Sequence, residues 1–121
     1  MLPLLHRECY EAFKQTLEQA STAVVQTNSD GSDLKRMVTE LQQFFQERIL
    51  SLNANELNPE IEQRVQSYQV EINKQLRLLG MDVLFLQAAR QATTSEQRRS
   101  QVSDRLMILI RYCEAMLEGE E

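Results

Sequence analysis

The chain has 121 residues, which is the size of one domain and leaves too little length for a second folded unit. Three glycines and two prolines are too few for the many tight turns of a β-sandwich or β-barrel, so the composition favours an all-α fold. A formal net charge of −5 disfavours a dedicated nucleic-acid binder, because such proteins carry an excess of Lys and Arg to neutralise phosphates.

Two amphipathic helices are predicted in the first half of the chain. In helix 1, over about residues 4–27, apolar side chains recur at three- and four-residue steps. Polar turn residues then separate it from helix 2, over about residues 33–52, where the same spacing continues from Leu34 to Ile49. Each helix therefore has one apolar stripe that must be buried against other helices.

The third helix has the clearest start signal in the sequence. The tripeptide Asn58-Pro59-Glu60 supplies a capping side chain, a proline at the first helical position and an acid in the first turn. Apolar residues then alternate at steps of four and three, which is typical of a coiled-coil seam. We predict a helix over about residues 59–91, roughly 50 Å long at 1.5 Å per residue. The sequence leaves open whether this helix is kinked at Gly80.

The fourth helix is predicted from two overlapping capping boxes. Thr93-x-x-Glu96 and Thr94-x-x-Gln97 both match this motif and place the helix over about residues 95–117. The acidic tail, residues 119–121, is expected to fray.

Four amphipathic helices joined by short loops predict an all-α fold, an up-and-down antiparallel four-helix bundle with a long third helix. Residues 1–118 are expected to form this single domain. The first residues lack the basic and apolar regions of a signal peptide, and no stretch reaches the ~18 apolar residues of a membrane span. We therefore expect a cytoplasmic protein without a membrane span.

The segment 76–86 is apolar on more than one face of the third helix. One face carries Leu79, Val83 and Leu86, and a second set of apolar residues lies roughly 100° around the helix. An exposed apolar patch of this kind marks an interaction site, so the sequence predicts a self-complementary homodimer interface or a partner interface. The alternative is that the bundle covers both faces as an enlarged core. The predicted interface residues are Leu78, Met81, Leu84, Phe85 and Ile108.

Charge is distributed unevenly along the chain. Residues 63–111 contain eight basic and four acidic residues, whereas the remainder contains five basic and fourteen acidic residues. Guanidinium groups bind carboxylates in bidentate geometry, so an arginine cluster suits an acidic protein partner. An ordinary solvated surface is the alternative. The predicted basic partner-binding surface consists of Arg77, Arg90, Arg98, Arg99 and Arg105.

The sequence gives little support for catalysis. His6 is the single histidine, and no HExxH motif, glycine-rich phosphate loop or spaced metal cluster is present. Cys9 and Cys113 are expected to be reduced and buried, although His6 and the two cysteines leave a weak metal-site alternative. A mutase of the chorismate-mutase kind would need several inward-facing cations, and Arg64 and Arg77 lie off the predicted seam. We therefore predict a protein with no enzyme activity, no metal and no cofactor.

The second half of the chain resembles a known family. The residues that carry the resemblance are RVQSYQVEINKQLRLLGMDVLFLQAARQ at 64–91, followed by Arg105 and by IRYCEAML at 110–117, and the opening MLPL is also similar. In these segments the chain resembles the cyanobacterial heterocyst-frequency-control proteins, PatD.

The resemblance implies a small helical regulator that limits how many cells of a filament differentiate for nitrogen fixation. It also implies direct binding to the tubulin-like division protein FtsZ, promotion of FtsZ assembly and recruitment to the division site. No enzyme activity, metal or cofactor comes with this resemblance. The alternative function is a helical DNA-binding regulator, or an adaptor that controls differentiation through another protein partner. No helix–turn–helix spacing or basic recognition helix supports DNA binding.

Overall fold

The computed structural model describes residues 2–26 and 31–118, and these residues form helices and no strand. The acidic tail predicted to fray, 119–121, and the end of predicted helix 1 at Thr27 lie outside the described residues. The helices are α1 (Leu4–Val25), α2 (Gly31–Phe44), a π-helical turn that continues α2 (Phe45–Ile49), a 3₁₀ turn (Ala54–Glu56), α3 (Pro59–Ala88) and α4 (Ala92–Glu118). The predicted all-α fold is confirmed.

The four helices pack as a ring in chain order. Helix α1 packs against α2 and α4, and α3 packs against α2 and α4. Helices α3 and α4 are antiparallel, because Arg64 near the start of α3 donates to the carbonyl of Ala115 near the end of α4, while Asp82 near the end of α3 pairs with Arg105. Gln42 of α2 donates to a backbone carbonyl of α3. This arrangement is an up-and-down helical bundle.

An aromatic cluster fills the core between α1 and the end of α2. Phe13 is fully buried and stacks on Phe44, with ring centroids 5.5 Å apart, and it also contacts Phe45 at 6.0 Å. Tyr10 is fully buried one turn earlier in α1, and its hydroxyl accepts a hydrogen bond from Gln69 Nε2 of α3. Because these rings bury large apolar areas, they anchor α1 and α2 to the rest of the bundle.

The predicted start of α3 is confirmed. The side-chain oxygen of Asn58 accepts a 2.9 Å hydrogen bond from the amide of Ile61, and Pro59 occupies the first helical position. The helix ends at Ala88 rather than at residue 91, because the backbone of Ala89 is extended. At 1.5 Å per residue, the 30 residues of α3 span about 45 Å.

Helix α4 begins three residues earlier than predicted. The amide of Ser95 donates a 2.9 Å hydrogen bond to the carbonyl of Gln91, so Thr93 and Thr94 already lie in the first turn. The predicted capping boxes are therefore wrong. Thr and Ser residues occur both at caps and in first turns, and the sequence pattern does not separate the two positions.

Helix α2 ends in a π-helical turn that the sequence does not predict. The amide of Leu50 bonds to the carbonyl of Phe45, five residues earlier, and the helix stops at Ile49 instead of continuing to residue 52. A π turn inserts one residue into the helical repeat and shifts the side chains that follow it. The apolar spacing alone does not reveal this insertion.

Helix α3 is continuous through Gly80. A Cβ atom at this position would lie 3.6 Å from Gln42 Nε2 and 3.8 Å from Val38 Cγ1, which are ordinary van der Waals distances. The packing of the bundle therefore does not require glycine here. Within the described ranges, no helix has both the length and the apolar character needed to cross a membrane.

Replacing Gly80 with alanine is expected to stabilise the protein. Glycine inside a helix costs about 0.5–1 kcal/mol relative to alanine, and the added methyl group meets no clash. We expect Gly80→Ala to raise the free energy of unfolding by this amount, measured by urea denaturation. The control is Gln66→Gly at an exposed position of α3, which should lower the same quantity. A less stable Gly80→Ala variant would show that this position has a packing constraint.

Candidate protein-binding surface

The outer face of α3 carries an exposed apolar patch. Met81, Leu84 and Phe85 are 50%, 55% and 46% exposed, whereas Leu79 and Val83 on the inner face are buried. A helix advances about 100° per residue, so these two sets of residues point in different directions and the bundle covers only one of them. We call Met81, Leu84 and Phe85 the α3 apolar patch. The expectation of a fully wrapped second face does not hold for these three residues.

The other two predicted interface residues, Leu78 on α3 and Ile108 on α4, are half-buried. Leu78 lies one turn before Met81. Ile108 lies on the edge of α4 that faces α3, since Arg105 one turn earlier bonds to α3. Exposed Met107 lies toward the opposite edge, two turns before Glu114, which pairs with Lys14 of α1. Ile108 therefore lies on the α3 side of α4, and Met107 does not.

Arg98 connects the predicted basic surface to the α3 apolar patch. Its guanidinium carbon lies 4.8 Å from the ring centroid of Phe85, and the same group donates to the side chain of Gln101. A cation over an aromatic face is attracted by the ring quadrupole. The contact places a positive charge directly beside the apolar surface.

Arg77 and Arg90 extend this positive charge along α3 and into the loop that follows it. Both side chains are exposed, and neither forms an ion pair within the described parts of the chain. Arg77 lies four residues before Met81, on the same side of α3. The two guanidinium groups are therefore available to a partner at either end of the α3 apolar patch.

Arg105 does not belong to this open surface. Its Nε atom lies 2.9 Å from a carboxylate oxygen of Asp82, and a second nitrogen donates to Gln75. The side chain of Asp82 is 9% exposed and that of Arg105 is 24% exposed. We correct the prediction for Arg105 accordingly, because its charge is neutralised within the α3–α4 pair. Asp82, which the sequence analysis did not single out, was recognisable as the one acid within an apolar helical run.

Arg99 contacts the end of α1. Its guanidinium donates a 2.8 Å hydrogen bond to the carbonyl oxygen of Val24. The last carbonyls of a helix have no partner within the helix, so Arg99 caps the end of α1 from α4. This contact leaves the positive charge of Arg99 in place but holds its guanidinium against the end of α1, so the predicted cations that lie next to the α3 apolar patch are Arg77, Arg90 and Arg98.

A groove runs between α2 and α3 beside the α3 apolar patch. One cavity of about 320 Å³ is lined by Lys35, Val38 and Gln42 from α2 and by Arg77, Met81 and Leu84 from α3. A second cavity of about 340 Å³ shares Gln42 and Arg77 with the first and reaches Phe45 in the π-helical turn. We call the two together the α2–α3 groove.

The buried nucleophilic and titratable side chains of the described core include His6, Tyr10 and the two cysteines. His6, Cys9 and Cys113 are buried, and His6 Nε2 lies 3.2 Å from the carbonyl oxygen of Asn53. Burial raises the pKa of the Cys113 thiol to about 12, so the reactive thiolate is not populated at neutral pH. Burial likewise raises the pKa of Tyr10 to about 12. In the described ranges, no three His, Cys, Asp or Glu side chains come together where a metal ion would bind.

Comparison with known proteins gives no relative for this chain. No protein-family model, curated protein or solved structure matches it.

Proposed function

We propose that this protein is a non-enzymatic regulator that binds FtsZ and promotes its assembly, and that it thereby controls the frequency of heterocyst differentiation. The family resemblance of residues 64–91 and 110–117 to the PatD proteins supplies the partner and the process. The structural observation that supports a binding role is the α3 apolar patch with Arg98 stacked on its Phe85 ring. Such a patch flanked by cations suits an acidic protein surface.

The proposed mechanism has two parts. First, Phe85 of the α3 apolar patch, together with the predicted interface residues Leu78 and Ile108, joins two copies of the chain as a homodimer, while Met81 and Leu84 on the α2 side stay open to a partner. Second, each dimer presents two sets of Arg77, Arg90 and Arg98. Two binding surfaces on one particle can bridge neighbouring FtsZ protofilaments, because the second contact then forms at a high effective concentration. In this proposal the protein acts in the cytoplasm at the division site.

The proposed function is tested by sedimentation of purified FtsZ with GTP, with and without this protein. We expect the protein to enter the pellet with FtsZ and to increase the amount of polymer. Reversing two open charges with Arg90→Glu and Arg98→Glu should weaken binding at least fivefold, about 1 kcal/mol, and should flatten its dependence on salt.

The matched control is the pair Arg36→Glu and Arg111→Glu. Both residues are exposed and lie on α2 and α4, away from the α3 apolar patch, and the pair changes the net charge by the same amount. Binding should be close to that of the unmodified protein. A folded protein that neither pellets with FtsZ nor changes its assembly contradicts the proposed function. Retention on duplex DNA that weakens with salt would instead support the DNA-binding alternative.

A further inference from the structure

We infer that the α2–α3 groove binds a single amphipathic helix, rich in carboxylates, from a protein partner. This inference deepens the proposed function, because it rests on the same face of the molecule and specifies the kind of segment that the face binds. Three properties of the groove support the inference: its length, its charge and its shape at Gly80.

The length of the groove fits about three helical turns. Along α3 the lining residues run from Asn73 to Leu84, which is about 16 Å at 1.5 Å per residue. Both walls are helices whose backbone groups bond internally, so the groove offers no free strand edge to an extended peptide. A helix laid between α2 and α3 would place one apolar side chain per turn on Met81 and Leu84.

The charge of the groove is opposite to that of the chain. Lys35 and Arg77 stand on its two walls, and none of the described residues that line either cavity is acidic. The protein as a whole carries a net charge of −5. Neither Lys35 nor Arg77 forms an ion pair with another described residue. Carboxylates on the edges of a bound helix would therefore meet two unneutralised cations.

Gly80 deepens the groove where α2 and α3 approach each other. It lines the cavity beside Val38 and Gln42, and a Cβ atom placed there would point at both. The bundle does not need glycine at this position, as its packing accepts alanine. The absence of a side chain at residue 80 leaves space for a side chain of the bound helix. Phe45 and Gln46 of the π-helical turn line the second cavity of the groove, and such turns occur frequently at functional sites.

The inference is tested by titrating the isotope-labelled full chain with a synthetic helical peptide of about four turns, ~20 Å long. The probe carries leucines at i, i+4 and i+7 with glutamates beside them, and the control peptide carries lysine in place of each glutamate. We expect amide shifts at Thr39, Gln42 and Gly80, and binding of the control peptide at least tenfold weaker. Equal binding of the two peptides, no binding, or shifts confined to other helices would overturn the inference.

Variants of the groove give a second measurement. Lys35→Glu with Arg77→Glu changes two exposed side chains and should weaken probe binding at least tenfold. The control pair Arg36→Glu and Arg111→Glu, neither of which lines the groove, should not weaken it. Gly80→Leu should block the groove sterically without changing charge. If groove amides shift on raising the protein concentration alone and the probe does not compete, the occupant is a second copy and the inference is wrong.

The same variants separate failure of this inference from failure of the proposed function. If FtsZ pellets the unmodified protein and the Lys35→Glu, Arg77→Glu variant equally well, the FtsZ function stands and the groove is not the site. If FtsZ does not pellet the unmodified protein, the proposed function fails. The peptide titration then still decides whether the groove binds an acidic helix.

Discussion

Replacing Arg105 by leucine is expected to lower the free energy of unfolding by about 2–3 kcal/mol. The substitution leaves the carboxylate of Asp82 almost fully buried without its cation, and it removes the hydrogen bond to Gln75. The value lies below that for completely buried ion pairs because the side chain of Arg105 is partly exposed to water. Urea denaturation followed by far-UV circular dichroism measures this change.

A double substitution distinguishes the ion pair from a simple loss of packing. Asp82→Leu combined with Arg105→Leu removes both charges, so most of the lost stability should return. The control is Arg111→Leu, at an exposed position of the same helix, which should change stability by less than about 0.5 kcal/mol. An Arg105→Leu variant as stable as the unmodified protein would contradict the structural role assigned to Arg105. It would also return this residue to the predicted partner-binding surface.

Replacing Phe85 by aspartate is expected to convert the proposed homodimer into a monomer. The substitution puts a charge within the α3 apolar patch and should raise the dimer dissociation constant about thirtyfold, about 2 kcal/mol. The monomer should remain folded, because Phe85 is 46% exposed and the introduced carboxylate lies beside Arg98. Light scattering over a range of protein concentrations measures the change in mass.

Val70 provides a matched control on the same helix. It is 67% exposed and lies about four turns before Phe85, so Val70→Asp introduces the same charge outside the α3 apolar patch. This variant should remain dimeric. The Phe85→Asp monomer should still bind FtsZ through Arg77 and Arg90, more weakly because the new carboxylate lies beside Arg98, but it should no longer bundle FtsZ filaments. Sedimentation and electron microscopy can separate binding from bundling. A Phe85→Asp protein that keeps the mass of a dimer removes the α3 apolar patch as the dimer interface.

Local features of the sequence were sufficient to predict the class of fold and some of the helix ends. Stripes at three- and four-residue spacing predict helices because burial of one helical face is a property of the segment itself. The start of α3 was equally local, since Asn58 and Pro59 act on the amides of their own first turn. The end of α2 was not predictable in this way, because its π-helical turn is one of several backbone arrangements that the same residues allow. The rings of Phe44 and Phe45 at this end pack onto Phe13 of α1.

In the binding surface, too, some features were predictable from local sequence and others depend on how the helices pack. The local pattern of residues is enough to show that residues 76–86 are apolar on two faces and that arginines are concentrated in the second half of the chain. The exposure of Met81, Leu84 and Phe85 depends on the packing of the helices. Helix packing also places Arg99 against Val24, Arg105 against Asp82, and Arg98 over the ring of Phe85. Residues that are distant in sequence set the position of a neighbouring helix. That position determines which face of a helix is covered. It also determines whether a cation contacts a carbonyl, a carboxylate or water.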